Sequence, residues 1–371
     1  MRPVALRRWL WVHRWSSLVC TAFLLMLCLT GLPLIFHDEI DAALNPDAWR
    51  PANPDGALLD LDMILRIALE RRPGDVPVFM SFDVDRPVVN VTTGASPADA
   101  GALHFASFDR TSGALVPPAD VGEGVMHFLL QLHTDMFLGL PGMLFLATMG
   151  FLFAVAIVSG IPIYGPFIGT RDFGAIRSAN SARTAWLDRH NFLGAVAVAW
   201  TLVVGLTGVV NALERPVIGY WRETALADLV EGAGGGAPGA GASLDAAVTA
   251  AVAAAPDMAL QFVAFPGSAY STEAHYAIFL HGRTPLTEHV IAPVLIHAAS
   301  GRVEGLRDMP WYMKALALSR PLHFGDYGGL PLKIVWALLN LATIVILGSG
   351  LYIWVAKRGR RVDREPRAKA T

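Results

Sequence analysis

Four of the eleven histidines occur at repeated spacings and are the residues best suited to chemistry in this chain. Each keeps a fixed distance from a small hydroxyl residue followed by glycine: His13 from Thr30-Gly31, His190 from Thr207-Gly208, His133 from Ser159-Gly160, and His323 from Ser349-Gly350. The separation is 17 residues in the first two cases and 26 in the last two. Such repeated spacings predict that the chain is two copies of one unit.

If the two copies are related by a twofold axis along the membrane normal, equivalent histidines of the two copies face each other. Such an axis brings His13 opposite His190, and His133 opposite His323. Two facing imidazoles are the axial ligands of a bis-histidine haem, which has no open position for dioxygen and favours electron transfer. The four histidines therefore predict two haem b groups, with one haem iron held by each pair.

The same histidines also have a plainer interpretation as polar residues at the ends of apolar helices. In that interpretation His13 and His190 lie at the membrane surface beside Arg14 and Arg189, and the other two histidines lie where helices begin. A single histidine would favour this plainer interpretation. Four histidines at duplicated spacings favour the haem interpretation instead.

Several other residues are weaker candidates for the same chemistry. His127 and His37 have no histidine at the matching position of the other copy, but either is a substitute ligand if a pair is assigned incorrectly. Arg320 lies three residues before His323 and suits either a haem propionate or interfacial anchoring. His275 and His281 are candidates for contact with a metal-bearing substrate.

The composition of the chain excludes several classes of protein. With 54% hydrophobic and 16% charged residues, the chain is too apolar for an ordinary soluble enzyme. A formal charge of -2 argues against a nucleic-acid-binding protein. The two cysteines, Cys20 and Cys28, share one apolar stretch, which excludes a disulfide framework, a cysteine zinc site and a cysteine-ligated iron-sulfur cluster.

Charge-free windows predict four membrane-spanning helices: Trp15–His37, Met136–Thr170, His190–Leu213 and Ile334–Ala356. Each window reaches the roughly 20 residues that a helix needs to cross a bilayer. The segments 1–14, 171–189 and 357–371 carry 4, 4 and 7 basic residues against 0, 2 and 2 acidic ones. This excess of Lys and Arg predicts that both termini and the middle loop are cytoplasmic and that both long connections lie outside.

Each long connection is predicted to form a helix followed by strands. The first has a helix at Leu58–Arg71, a strand at Val88–Val91 and a hairpin around Ser112-Gly113; the second has a helix at Leu244–Ala255, a strand at Tyr276–Leu280 and a hairpin around Ser300-Gly301. The predicted fold is therefore a membrane α-helical bundle of four transmembrane helices with two extracytoplasmic α+β domains, arranged as two parallel repeats.

This fold divides the chain into eight segments. They are transmembrane helix 1 with a cytoplasmic N-terminus (1–37), the first outer domain (38–125), an interfacial segment with transmembrane helix 2 (126–170), a cytoplasmic loop (171–189), transmembrane helix 3 (190–213), the second outer domain with a Gly-rich linker at 232–241 (214–320), transmembrane helix 4 (321–356) and a basic cytoplasmic tail (357–371).

Four stretches of the chain carry a recognisable pattern: VHRWSSLVCTAFLLMLCLTGLPLIFHDEID, RHNFLGAVAVAWTLVVGLTG, LHFGDYGGLPLKIVWALL and SGLYIW. In these stretches the chain resembles the PepSY-associated transmembrane proteins of bacterial inner membranes, and FDRTSGALV is similar to the end of a PepSY module. This resemblance implies two PepSY-like outer domains, haem ligation by His13, His133, His190 and His323, and a haem-dependent ferric-chelate (siderophore) reductase in the inner membrane. It also implies a cytoplasmic reductase or quinol as electron donor.

The implied reaction needs no dedicated acid, base or nucleophile. The oxygen ligands of a ferric siderophore or related ferric chelate favour Fe(III), so reduction to Fe(II) weakens their hold and releases the metal. The competing hypothesis is a non-redox membrane scaffold whose PepSY-like domains bind or regulate a periplasmic partner. A parallel-repeat transporter fits less well, because the spans carry no charge at mid-membrane.

Overall fold

The computed structural model describes residues 3–44, 51, 53, 55–83, 86–98, 103–117, 124–165, 173–177, 181–226, 242–284, 287, 291–306 and 309–362. The predicted Gly-rich linker at 232–241 lies wholly outside these residues, as does the predicted tail from residue 363 onward. The chain forms a membrane unit, Met1–His37, Glu123–Leu213 and Ser319–Thr371, and a sheet unit, Asp38–Gly122 and Glu214–Leu318.

Four helices of the membrane unit are long and apolar enough to cross a bilayer, as predicted: α1 (Pro3–Leu34), α5 (Leu140–Tyr164), α6 (Ala182–Ala212) and α10 (Gly329–Val362). A shorter helix comes before each of the spans α5 and α10. These are α4 (Gly124–Thr134) and α9 (Trp311–Phe324), and a short 3-10 turn, Asp326–Gly328, joins α9 to α10. The part of α9 from Ser319 onward belongs to the membrane unit.

The second span begins later than its charge-free window. The window starts at Met136, whereas α5 starts at Leu140 and runs to Tyr164; residues 166–170 lie outside the described part of the chain. Met136 and Phe137 have positive φ angles of 54° and 60°, which no helical residue adopts, so the chain turns between α4 and α5. Pro141, at the start of α5, fits there because the first helical residues need no intrahelical N–H donor.

The third span, by contrast, begins earlier than predicted. The window starts at His190, whereas α6 starts at Ala182 and is capped by Ser181, whose hydroxyl accepts a hydrogen bond from the backbone N–H of Thr184. A charge-free window cannot detect these first turns because they contain Arg183, Asp188 and Arg189. His190 therefore lies within the helix, more than two turns from its N-terminus.

The membrane unit packs around a small apolar cluster. Cys20 and Leu24 of α1 contact Met149 of α5 and Leu347 of α10, and all four are buried. Cys20 is a free, buried thiol in this cluster.

The described part of the sheet unit contains eight antiparallel strands: β1 (Val76–Phe82), β2 (Val88–Gly94), β3 (His104–Asp109), β4 (Leu115–Val116), β5 (Met258–Ala264), β6 (His275–Gly282), β7 (Ile291–His297) and β8 (Val303–Leu306). Their order across the sheet is β4-β3-β2-β1-β5-β6-β7-β8. Each half of the sheet thus has the same sequence of neighbours, counted outward from the centre.

The two long connections therefore build one sheet, where we predicted two separate outer domains. β1 and β5 join the halves, with Met80 opposite Val263 in the antiparallel register. Neither strand was predicted, because VPVFMSF and MALQFVA are short apolar runs without regular polar alternation. Such runs suit a central strand that is covered on both faces.

Two helices cover one face of the sheet: α3 (Leu61–Glu70) and α8 (Leu244–Ala254). Their buried side chains, such as Ile64 and Ala247, pack with strand residues such as Phe108 in one core. The other face contacts a helix α7 (Glu214–Trp221), whose Trp221 packs against Phe279 and Leu295. The first described helix of this unit, α2 (His37–Leu44), follows α1.

The N-termini of α3 and α8 cap each other. Asp62 of α3 accepts hydrogen bonds from the Ser243 hydroxyl and from the backbone N–H groups of Leu244 and Asp245. In return, the Asp245 carboxylate accepts from the backbone N–H of Leu61. Acceptors at helix N-termini satisfy otherwise unpaired donors, so this exchange ties the two halves of the sheet unit together.

Candidate functional site

His13 and His190 lie face to edge between α1 and α6. Their ring centroids are 6.4 Å apart and their ring planes are inclined by 75°. His13 lies on the third turn of α1, and His190 lies at a comparable depth on α6. The structure thus brings together the two residues that sequence spacing predicted to lie opposite each other.

His133 and His323 form a second pair with nearly the same geometry. Their ring centroids are 6.2 Å apart and their planes are inclined by 65°. Each lies in the last turn of a short helix, His133 in α4 and His323 in α9. Each histidine therefore lies just before the turn that connects its short helix to the next spanning helix.

The two pairs are well separated within the membrane unit. On α6, His190 belongs to one pair, while the carbonyl of Val204 accepts a hydrogen bond from His323 of the other pair. Fourteen residues of helix between these positions span about 21 Å. The pairs therefore lie at two different depths of the same bundle.

The Nδ1 atom of each ring is engaged by a neighbouring helix. His13 Nδ1 lies 2.8 Å from the carbonyl oxygen of Ala156, His190 Nδ1 lies 3.0 Å from that of Ile346, and His323 Nδ1 lies 3.0 Å from that of Val204. His133 also hydrogen-bonds to the carbonyl of Leu27, and its Nδ1 atom lies 2.9 Å from the Thr30 hydroxyl. A carbonyl can only accept, so Nδ1 carries the proton and Nε2 is left with a lone pair.

These contacts leave the metal-binding nitrogen of each ring available. Within the described part of the chain, no hydrogen-bond partner reaches Nε2 of any of the four rings. A neutral imidazole whose other nitrogen donates to a carbonyl is the usual state of a metal ligand. Each of the four imidazoles can therefore present Nε2 to a metal.

Four glycines make room for the four rings. A Cβ added to Gly31 would come within 3.0 Å of His133 Cε1, and one added to Gly208 would be equally close to His323. At the other pair, Gly160 would approach His13 to 3.3 Å and Gly350 would approach His190 to 3.4 Å. The missing side chains of these glycines therefore leave space for the imidazole rings themselves.

The spacing of each pair suits one iron between two Nε2 atoms. A metal–imidazole bond is about 2 Å long, and the ring centre lies about 1 Å further from the metal, so two collinear imidazoles have centroids about 6 Å apart. The observed 6.4 and 6.2 Å agree with this value. Two protein ligands alone are too few for a bare metal ion, whereas a porphyrin supplies four more nitrogens.

The described residues contain one other close pair of histidine rings, His275 and His297, whose centroids lie 5.5 Å apart in the sheet unit. No cluster of three or more His, Cys, Asp or Glu side chains that could hold a metal ion occurs among the described residues. The substitute ligand His127 lies six residues before His133 on α4, a rotation of about 240° that directs it to a different side of the helix. The other substitute, His37, contacts the carbonyl of Leu34 through Nδ1.

Arg320 lies on α9, one turn before His323, and is exposed. That position is compatible with either role predicted for it.

The histidines of the sheet unit do not lie where we expected them. His275 and His281 are only 1% and 6% exposed, so neither can contact a metal-bearing substrate in solution.

His275 is held instead in a buried polar cluster. Its Nε2 atom bonds to Glu304 at 2.8 Å, and its Nδ1 atom lies 2.6 Å from the Thr272 hydroxyl. Hydrogen bonds from Arg302 and His275 hold the pKa of Glu304 below its usual value. With both ring nitrogens occupied, His275 stabilises the sheet.

Sequence reasoning overlooked the hydroxyls that contact the ligand rings. Thr30 Oγ1 lies 2.9 Å from His133 Nδ1, Ser349 Oγ lies 3.1 Å from His190 Nδ1, and Thr207 Oγ1 lies 3.4 Å from His323 Nδ1. We had treated these residues only as small. Their signal in the sequence was that each precedes one of the four glycines.

The apolar spans and the antiparallel sheet define a multi-pass membrane protein whose partly buried histidines meet in pairs. The chain belongs to the PepSY-associated TM region family, whose model matches residues 10–357. An uncharacterized protein of Pseudomonas aeruginosa, PA4219, is 22% identical over 264 residues, which is 65% of this chain. The chain spans 66% of the length of that relative.

Proposed function

We propose that the chain is a di-haem inner-membrane protein that passes electrons from the cytoplasmic side or the quinol pool to a periplasmic ferric siderophore or related ferric chelate. The observation that supports this proposal most directly is the geometry of the two histidine pairs. Each pair has its centroids 6.2–6.4 Å apart, its Nδ1 atoms engaged by carbonyls and its Nε2 atoms available.

In this function the protein holds and separates the cofactors. Bound haem b supplies a one-electron Fe(III)/Fe(II) couple that needs no change of ligands. His13 and His190 would hold one iron, and His133 and His323 the other. The carbonyls of α5, α6, α10 and α1 fix the orientation of the rings, which keeps the ligand set the same in both oxidation states.

The charge distribution supports an orientation for this path. The basic excess in 1–14, 171–189 and 357–371 is expected on the cytoplasmic side, so both termini are cytoplasmic. We therefore name His13/His190 the inner pair and His133/His323 the outer pair. The sheet unit, formed from the two long acidic connections, then lies in the periplasm.

The overall reaction transfers one electron for each iron released. The chelated Fe(III) gains the electron and becomes Fe(II), and a reduced flavoprotein or a quinol on the donor side loses it. Fe(II) is a softer ion that binds the oxygen ligands of the chelate less tightly, so it dissociates and becomes available for uptake. Arg320 would contact a propionate of the outer haem by a charge-assisted hydrogen bond.

A second candidate function is a non-redox scaffold that binds or regulates a periplasmic partner. It is favoured by the same Nδ1–carbonyl bonds, because they already join α1 to α5 and α6 to α10 without any cofactor. In this function the histidines only fasten helices, and the eight-stranded sheet binds the partner. It predicts a protein that carries no haem.

Iron reduction by spheroplasts that express the chain tests the redox function. A ferric chelate is supplied outside, together with a membrane-impermeant chelator that changes colour with Fe(II). We expect the wild-type chain to form Fe(II) and His323→Ala to lose this activity. His104→Ala, which removes a half-exposed histidine of the sheet unit, is the control and should keep it. Equal rates for wild type, His323→Ala and empty-vector cells would contradict the proposed function.

A further inference from the structure

At each of the four ligand positions, one backbone carbonyl accepts from both a histidine and a hydroxyl. At the inner pair, Ala156 O lies 2.8 Å from His13 Nδ1 and accepts from Ser159 Oγ at 3.0 Å. Ile346 O lies 3.0 Å from His190 Nδ1 and accepts from Ser349 at 2.9 Å. The hydroxyl residue follows the shared carbonyl by three positions in each case.

The outer pair repeats the arrangement. Val204 O lies 3.0 Å from His323 Nδ1 and accepts from Thr207 Oγ1 at 3.2 Å. Leu27 O accepts from Thr30 Oγ1 at 3.2 Å and also bonds to His133. All four imidazoles therefore share their carbonyl acceptor with a side-chain hydroxyl.

The four positions differ in whether the hydroxyl also contacts the ring. Both outer rings have such a contact, from Thr30 to His133 and from Thr207 to His323. At the inner pair only His190 has one, from Ser349. The Ser159 hydroxyl donates only to carbonyls of its own helix and does not contact His13. Among the described residues, the Nδ1 atom of His13 therefore has one partner, the Ala156 carbonyl at 2.8 Å.

The chemical effect of such a contact has a definite sign. A hydrogen bond from Nδ1–H to a carbonyl increases the electron density of the ring, so Nε2 becomes a stronger donor and stabilises Fe(III). A hydroxyl is a weaker acceptor than a backbone carbonyl. Where the Nδ1–H group is shared between the carbonyl and a hydroxyl, the ring donates less electron density to the iron. The midpoint potential of the haem then rises.

We propose that the hydroxyls of Thr30, Thr207 and Ser349 tune the haem potentials, and that the outer haem consequently has the higher midpoint potential. This inference rests on the proposed function, since it concerns haems bound by the two pairs. The outer haem has two ligands with a shared Nδ1–H and the inner haem has one. Electrons that leave the cytoplasm would therefore move toward the higher potential.

Hydroxyl bonds to the carbonyl of a preceding turn are common in membrane helices and do not by themselves indicate tuning. Thr201 of α6 makes the same bonds, to Ala197 O and Val198 O, without touching a histidine. Contact with an imidazole nitrogen distinguishes Thr30, Thr207 and Ser349. Thr201 therefore provides a matched control on the same helix as Thr207.

Redox potentiometry of the purified, haem-loaded chain tests the inference. We expect two waves in the wild type, and His323→Ala should remove the wave of higher potential, which identifies it as the outer haem. Thr30→Val with Thr207→Val should shift that wave to lower potential at unchanged haem content. Thr201→Val should leave both waves in place, and Thr30→Ser with Thr207→Ser should restore the wild-type potential.

The outcomes separate this inference from the proposed function. If the chain holds two haems but His323→Ala removes the lower wave, or if the valine variants keep their haem and their potentials, the inference is wrong and the proposed function stands. If the valine variants do not fold, the wave lost in His323→Ala decides the matter. A chain that binds no haem contradicts both proposals.

Discussion

Gly208 lies so close to His323 that a Cβ at this glycine would come within 3.0 Å of the imidazole Cε1 atom. The ring can therefore donate to the Val204 carbonyl one turn earlier on α6 only because position 208 has no side chain. The same relationship links Gly31 to His133 in the other half of the chain. These contacts explain why a glycine follows each hydroxyl residue.

A larger side chain at position 208 should therefore displace the proposed ligand His323 without changing the histidine itself. We expect Gly208→Val to displace His323 and to lower the haem content from two per chain to one. Gly194→Val is the matched control on α6, because no atom lies within 4 Å of a Cβ at that position. Pyridine haemochrome analysis measures the haem content of both variants. Equal haem content in the two variants would show that the Gly208 contact does not position the ligand.

The steep angle between paired rings predicts a spectroscopic signature. The planes are inclined by 75° at the inner pair and by 65° at the outer pair. Two axial imidazoles close to perpendicular leave the iron dπ orbitals nearly equal in energy, which produces strongly anisotropic low-spin signals in electron paramagnetic resonance. We expect both oxidised haems to show such signals. A rhombic signal typical of parallel ligands at both sites would contradict the observed ring orientations.

The reciprocal caps of α3 and α8 predict a pH-dependent contribution to the stability of the sheet unit. Burial raises the pKa of Asp62, but hydrogen bonds from Ser243, Leu244 and Asp245 outweigh this effect and bring the pKa below its usual value. A lowered folded-state pKa stabilises the protein above the pKa of the unfolded chain. This stabilisation is lost as pH falls through the folded-state value.

Asp62→Ala should destabilise the sheet unit by about 1–2 kcal/mol at neutral pH, as the loss of a helix cap does. Hydrogen exchange in the full chain should become faster at the first turn of α8, near Ser243 and Leu244. The difference from wild type should shrink as the pH is lowered. Asp55→Ala, which removes a carboxylate outside the caps, is the control. Unchanged exchange in Asp62→Ala would contradict the capping role.

The sequence allowed much of this architecture to be predicted. Four spans were confirmed because a run of about 20 apolar residues has few alternatives to a membrane helix. Both hairpins were confirmed, with Gly113 and Gly301 at φ angles of 72° and 68° that favour glycine. The family was also recognised from motifs that its match at residues 10–357 confirms.

The remaining features depend on tertiary contacts that no local pattern contains. β1 and β5 were missed because their pairing, Met80 with Val263, joins residues far apart in the chain. The roles of Thr30 and Thr207 were missed for a similar reason. A hydroxyl that caps its own helix and one that contacts a distant imidazole have the same local sequence, and only the packing of α4 and α9 distinguishes them.

The haem content of the full-length chain, purified from haem-replete cells, tests the central claim most directly. We predict two haems per chain and a reducible Soret band with low-spin bis-imidazole features, falling to one haem in His13→Ala or His323→Ala and to none in the double variant. A colourless wild-type protein, or a coloured one whose haem content is the same in all these variants, would contradict the account.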